Sequence, residues 1–219
     1  SLSVHTLAVY NGNLIAGGFF TTAGGASASN IAQWNGSSWS ALGTGMNNTV
    51  FALTVYNGKL IAGGDFTSEN RIAQWNGTSW STLGSGMNSG VLALTVFNGN
   101  LIAGGDFTTA SILANRIAQW NGTSWSALGS GMSGGRGDIS KDVYALTVFN
   151  GNLIAGGYFT IAGGTGANYV AQWNSGPPGS WSALGLGAGI DTPVESLIVY
   201  NGHLFAGGFF LTAGGTTAD

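Results

Sequence analysis

One block of letters returns five times along the chain, and self-similarity at a fixed period restricts a sequence to repeat architectures before any other signal is read. The block is NG-x-L-[IF]-A-G-G, with its asparagine at Asn11, Asn57, Asn98, Asn150 and Asn201, spaced 41 to 52 residues apart. Between copies, [IV]-A-Q-W-N followed by S-W-S-[AT]-L-G occurs four times, anchored by Trp34 and Trp39, Trp75 and Trp80, Trp120 and Trp125, and Trp173 and Trp181. The units run over about 2–46, 47–87, 88–132 and 133–189, with an incomplete unit at 190–219, and together they make one domain over 1–219.

Each unit reads as four short strands. In the third these are strand a (VLALTVF, Val91 to Phe97), strand b (LIAGGDF, Leu101 to Phe107), strand c (RIAQW, Arg116 to Trp120) and strand d (SWSALG, Ser124 to Gly129). Asn-Gly between a and b is the strongest short hairpin signal, because a type I′ turn needs positive φ at both central residues. A second Asn-Gly lies between c and d at Asn35, Asn76 and Asn121, and the fourth unit has NSGPPGS there instead. Four antiparallel strands per unit, with no 3.6-residue period anywhere, predict an all-β fold: a β-propeller of four full blades and a half blade in a five-position ring. Paired glycines inside strand b cost stability unless backbone must approach closely there, so close blade packing is expected. The tryptophan pairs flank the c-to-d turn at a spacing that suits cross-strand contact and burial against the next blade.

The order of a hydrophobic strand, Leu-Ile-Ala-Gly-Gly, a strand c closing on an aromatic and a strand d opening on Trp resembles the kelch repeat over essentially the whole chain, above all the Gly-rich kelch-like repeats of secreted or surface-attached bacterial proteins. The arginine that many kelch repeats carry in their loops is absent. The resemblance implies a ligand-binding propeller but names no ligand, since fold alone does not fix function. Some kelch-like relatives are copper oxidases with a tyrosine-cysteine cofactor, and a chain with no cysteine is not one of them.

Composition narrows the function classes. Lys and Arg number 5 against 8 Asp and Glu, a formal charge of -3, which cannot lay down the basic stripe that neutralises phosphates. Nucleic acid is therefore not an expected partner. No apolar run approaches 18 residues, and the opening SLSVHTLAVY has neither a basic region nor a cleavage pattern, so membrane insertion and a signal peptide are not expected either. No cofactor and no metal are expected.

Loop lengths sort the two ends of the blades. The a-to-b and c-to-d turns barely change between units. The b-to-c connection varies from TSEN (Thr67 to Asn70) to TTASILAN (Thr108 to Asn115), and d-to-a from GSGMNSG to GSGMSGGRGDISKD. Up-and-down connectivity puts both variable loops on one face, where insertions in repeat proteins mark a binding side. Strand a reads Val-x-[AST]-Leu-x-Val-[YF], with its first x near the channel mouth, and that x differs in every copy: His5, Phe51, Leu92, Tyr144 and Glu195. Copying errors would leave the same trace. If the ring closes, His5 and Glu195 become neighbours, yet two ligands fall short of a metal site.

Three further features carry both a plain and a functional reading. Asp65 and Asp106 close strand b where other units have Phe19, Tyr158 and Phe209, and Arg71 and Arg116 open strand c in the same two units. Plainly these are local ion pairs across each b-to-c base; functionally they form a polar sugar or peptide subsite. Arg136, Gly137 and Asp138 spell an adhesion tripeptide in the longest d-to-a loop, a motif of three letters that chance also supplies in a glycine-rich chain. Sequons at Asn35, Asn47, Asn76 and Asn121 fall mostly in the c-to-d turn, whose own chemistry explains the asparagine.

These readings rank a non-enzymatic, extracellular or cell-surface binding module first, recognising a glycan or protein through the face of the b-to-c and d-to-a loops. A structural spacer or assembly repeat comes second. A five-bladed glycosidase needs two carboxylates set around the channel, and only Glu195 lies on an innermost strand. The unfinished fifth unit adds self-association as a further expectation.

Overall fold

The computed structural model describes residues 2–135, 142–184, 190–213 and 216–217, and among these there is no helix. Four blades are four-stranded antiparallel sheets in the order a-b-c-d. Blade 1 comprises Ser3–Tyr10, Asn13–Phe19, Ile31–Trp34 and Trp39–Ala41; blade 2 comprises Val50–Tyr56, Lys59–Gly64, Ile72–Trp75 and Trp80–Thr82. Blade 3 comprises Val91–Phe97, Asn100–Gly105, Ile117–Trp120 and Trp125–Ala127; blade 4 comprises Val143–Phe149, Asn152–Gly157, Val170–Asn174 and Ser180–Ala183. The fifth unit has strands a (Val194–Tyr200) and b (His203–Gly208). The fold is a β-propeller: strand a is innermost, and each strand a lies against that of the next blade, from blade 1 through to blade 5.

The a-to-b turn forms as its letters require. Asn11, Asn57, Asn98, Asn150 and Asn201 all adopt a φ of 48°, followed by a glycine also at positive φ, the type I′ geometry that matches strand twist. The second Asn-Gly behaves differently. Here Asn35, Asn76 and Asn121 keep negative φ and only the glycine is left-handed, at 99° to 101°. The asparagine side chain closes a four-residue loop: Asn35 Oδ1 accepts the N–H of Ser37 and of Ser38, at 3.0 and 2.9 Å. Asn76 and Asn121 do the same. That longer loop places the two tryptophans directly opposite one another, with ring centroids 5.1 to 5.7 Å apart.

The paired glycines divide their work. A Cβ on the first would collide with a valine of the following blade: Gly17 with Val50 Cγ1 at 2.6 Å, Gly63 with Val91 at 2.5 Å, Gly104 with Val143 at 2.5 Å and Gly156 with Val194 at 2.6 Å. Each valine thus fills a notch that only glycine leaves open. A Cβ on the second glycine would instead strike backbone of its own blade, the carbonyl of Ser3, Thr49, Gly90 or Asp142. Burying one valine side chain this way contributes about 1.5–3 kcal/mol, and the seam is repeated four times.

The outer half of the first three seams is tryptophan. Trp80, Trp125 and Trp181 donate their indole N–H to the carbonyls of Leu42, Leu83 and Leu128, just after strand d of the preceding blade, at 3.0, 3.2 and 2.9 Å. A buried indole needs such a partner. Each seam encloses one apolar cluster drawn from two blades, such as Ile15, Ile31, Leu42 and Met46 with Val50, Leu60, Phe66 and Trp80.

The series does not close. Val4, the counterpart of four fully buried valines, is 58% exposed, and Gly207 faces only Ser196 of its own strand pair. Leu7, Val9, Ile198, Tyr200 and Phe205 at the two ends are exposed as well. The described residues form an open series of four blades and a hairpin, where the repeat count had suggested a five-position ring. The reason is that strand a of blade 5 does not pack on strand a of blade 1 as consecutive inner strands do.

Candidate functional site

Strand a holds the same irregularity in all five units. Its pairing with strand b slips between Val4 and Thr6, Val50 and Ala52, Val91 and Ala93, Val143 and Ala145, and Val194 and Ser196. The residues skipped are His5, Phe51, Leu92, Tyr144 and Glu195. A β-bulge leaves one residue unpaired, bends the strand and re-aims that side chain. The second glycine of each pair makes room for it, so the most divergent letter of strand a and the most uniform letters of strand b are two sides of one device.

The bulge comes one residue after strand a is entered from the d-to-a loop, which sets it on the face of the variable loops. Phe51, Leu92, Tyr144 and Glu195 line one hollow at the inner strands, together with Thr6 and Ser196, with a volume of about 240 Å³. Phe51, Leu92 and Tyr144 are half-buried and Glu195 is exposed. His5 stands at the rim, its ring edge-on to Phe51 with centroids 5.3 Å apart and its Nε2 3.0 Å from Ser3 Oγ. No hydrogen bond or ion pair joins His5 to Glu195, because the series is open between their strands.

The two Asp and Arg pairs part company. Arg71 Nη1 lies 3.3 Å from Asp65 Oδ1 and also donates to the Asp65 carbonyl, as a local pair across the b-to-c base. Arg116 does not pair with Asp106. Its Nε is 4.0 Å from Asp142 Oδ1, and Asp106 Oδ2 accepts from Ser89 Oγ at 2.8 Å. Neither arginine opens strand c: Arg71 and Arg116 sit just before it at φ 71° and 67°, in the left-handed region, where Asn30 and Tyr169 stand in blades 1 and 4. The sequence also hides that Asp65 and Asp106, from adjacent blades, flank one spot. A Cβ on Gly90 would lie 2.9 Å from Asp65 Oδ1 and 3.2 Å from Asp106 Oδ1. Asp65, Arg71, Ser89 and Asp106 therefore make a polar notch at the seam of blades 2 and 3.

Residues the sequence reading assigned no part in the face hold its loops in place. Asn47 Oδ1 accepts from Thr67 N at 2.9 Å, and Asn88 Oδ1 from Thr108 N and Thr109 N at 2.9 and 3.0 Å, lacing each d-to-a loop to the next blade's b-to-c loop. Asp191 binds Leu211 N and Thr212 N in the same way. The Gly-x-Gly-Met turn before them is fixed too: Met46, Met87 and Met132 are buried and donate backbone N–H to Ser29, Asn70 and Asn115. Asn47, read as a sequon, spends its amide on Thr67 Oγ1. The recurrence of Gly-Met-Asn was the available signal. Arg136, Gly137 and Asp138 lie outside the described residues.

Comparison with known proteins shows the fold. No protein family and no curated protein matches the sequence. Among solved structures, a computationally designed protein, Ika8, is 18% identical with a TM-score of 0.55, over 94% of this chain and 55% of its own. The WD40 β-propeller domain of Doa1 is 16% identical with a TM-score of 0.57, over 93% and 60%. An extracellular domain assigned to a hybrid two component system of B. thetaiotaomicron is 10% identical with a TM-score of 0.59, over 93% and 25%. The chain thus spans little more than half the length of the first two. At these identities the likeness speaks for the propeller alone.

Proposed function

We propose that this chain is a non-enzymatic binding module, of kelch-like type, that recognises a glycan through the channel mouth and the loops around it. The observation that carries the reading is the bulge: in all five units it turns the divergent residue of strand a toward one face and leaves the scaffold letters in the seams. Phe51 and Tyr144 supply flat apolar rings of the kind that stack on a pyranose, and the Asp65, Arg71 and Asp106 notch supplies donors and acceptors for hydroxyl or carboxylate groups. A small hollow in which two rings and Leu92 stand among polar groups, Thr6, Glu195 and Ser196 with them, suits a small polar ligand. The loops are tied down before ligand arrives, which lowers the ordering cost of binding. An extracellular or surface setting fits such a role, and one similar structure is an extracellular domain.

The reading as a binder, not an enzyme, rests on where the carboxylates stand. Asp65 and Asp106 both stand beside Gly90 at the seam of blades 2 and 3, and they are engaged by Arg71 and Ser89. A structural spacer is the second reading, favoured by the near-identity of the blades. A glycan array probed with the 219-residue chain separates the two. Saturable retention on a defined sugar, abolished by that sugar in solution, is the expected outcome; uniform absence of retention removes the glycan reading and leaves the spacer.

A further inference from the structure

Blades 2 and 3 each have a blade on either side, and the seam between them holds a hollow of about 190 Å³ beside the a-to-b turn of blade 2 and the c-to-d turn of blade 3. Its apolar lining is buried, with Ile61 and Leu83 from blade 2 and Trp120 from blade 3. Tyr56 lines it as well, and its hydroxyl donates to the Trp120 carbonyl at 3.4 Å, which ties the two blades together there. Lys59 reaches it from the a-to-b turn. The Lys59 Nζ donates to Gln74 Oε1 at 3.3 Å, and no other described residue accepts from it, so two of the three ammonium donors remain.

The scaffold does not need a cation at this place. Asparagine stands at the same position of units 1, 3 and 4, as Asn13, Asn100 and Asn152. Asn100 makes the same bond with a neutral amide, from Nδ2 to Gln119 Oε1 at 3.3 Å. Lys59 thus adds charge and reach to a contact that the fold already makes without them. The charge also stands apart from the acidic residues, because the described carboxylates all lie at the other end of the blades, in or beside the b-to-c and d-to-a connections. Asp65 follows the same strand b, six residues on from Lys59. That separation is roughly 20 Å of extended backbone, beyond two Debye lengths of about 8 Å at physiological salt. An anion at Lys59 therefore meets one positive group beside apolar surface, with no carboxylate near enough to repel it.

We propose that this hollow binds a small carboxylate carried on an apolar ring, with its charge at Lys59 and its ring against Ile61, Leu83 and Trp120. The volume equals about six waters at ~30 Å³ each, which admits one ring and its carboxyl group. Apolar walls joined to a few convergent polar groups are the common form of a small-molecule site, and contact between a flat ring and an indole adds to the area buried. The hollow lies at the opposite end of the blades from the channel mouth, and the inference is independent of the glycan reading.

The test titrates sodium benzoate into the whole chain at constant ionic strength and follows the backbone amides of Gly84 and Gly122, which border the hollow, by two-dimensional NMR. Saturable shifts at both are expected, with a midpoint of about 1–10 mM, the range open to a ligand of about nine non-hydrogen atoms. Benzamide, which has the same ring and no charge, should bind at least tenfold more weakly. Lys59→Gln removes the charge and should weaken benzoate binding at least tenfold, whereas Lys59→Arg restores it and should stay within about threefold of the unchanged chain. Lys59 is exposed, so neither variant disturbs a buried contact. Absence of saturation up to about 50 mM benzoate overturns the proposal, as does equal binding of benzamide or unchanged binding by Lys59→Gln. So do shifts confined to Arg71 and Gly90, which would place the acid at the other end of the blades.

Discussion

At the residue scale, the account turns on a valine and a glycine meeting across each seam. Val91 is fully buried against Gly63, whereas Val4, the same letter in the same context, is 58% exposed. Val91→Ala should therefore cost about 2 kcal/mol or more from lost burial and a residual cavity, and Val4→Ala should stay within about 0.5 kcal/mol, both read from denaturant midpoints. Gly104→Ala adds a methyl group 2.5 Å from Val143 Cγ1 and should cost about 1–3 kcal/mol by overpacking, while Gly207→Ala, facing only a serine hydroxyl, should be close to neutral. Close packing at the double glycine was legible in the letters. Its division into a seam glycine and a bulge glycine was not, because a bulge is a property of two paired strands and leaves no mark on either alone. Asp106 and Arg116 misled for a related reason. Their letters repeat those of Asp65 and Arg71, but the loop between them, Thr108 to Asn115, is twice as long, and Arg116 ends beside Asp142 instead.

At the element scale, the a-to-b hairpin could be read outright, since Asn-Gly at positive φ has few alternatives. The c-to-d hairpin of blades 1 to 3 shares the dipeptide and uses it differently, in a four-residue loop closed by the asparagine side chain. Asn76→Ala should cost about 1 kcal/mol by orphaning the N–H groups of Thr78 and Ser79, and chemical denaturation would show it. The loop face holds a parallel case. Asn88→Ala releases Thr108 N and Thr109 N, and amide exchange at those two residues should speed at least tenfold with little change in global stability. The presence of a variable face was legible from loop lengths. That its loops are laced to each other was not, because the partners lie some twenty residues apart, on either side of the a-b hairpin.

At the scale of the whole molecule, a propeller gains its stability seam by seam, so the blades with two covered faces should be the last to open. Native-state amide exchange should rank blades 2 and 3 as the most protected and strand a of blade 5 as the least, given the exposure of Ile198 and Tyr200. The four-stranded repeating unit and the all-β character followed from the period; whether the series closes did not, since closure depends on the angle between blades and not on their count. The functional claim is that the five bulged positions form one recognition surface over an indifferent scaffold. Its most direct test is the glycan array repeated with Phe51→Ala, Leu92→Ala and Tyr144→Ala combined, beside a control at the exposed c-to-d turn, Thr78→Ala. Retention of the bound sugar should fall at least tenfold in the triple variant and persist in the control, with melting temperatures showing both folded. Equal retention by all three proteins would contradict the claim.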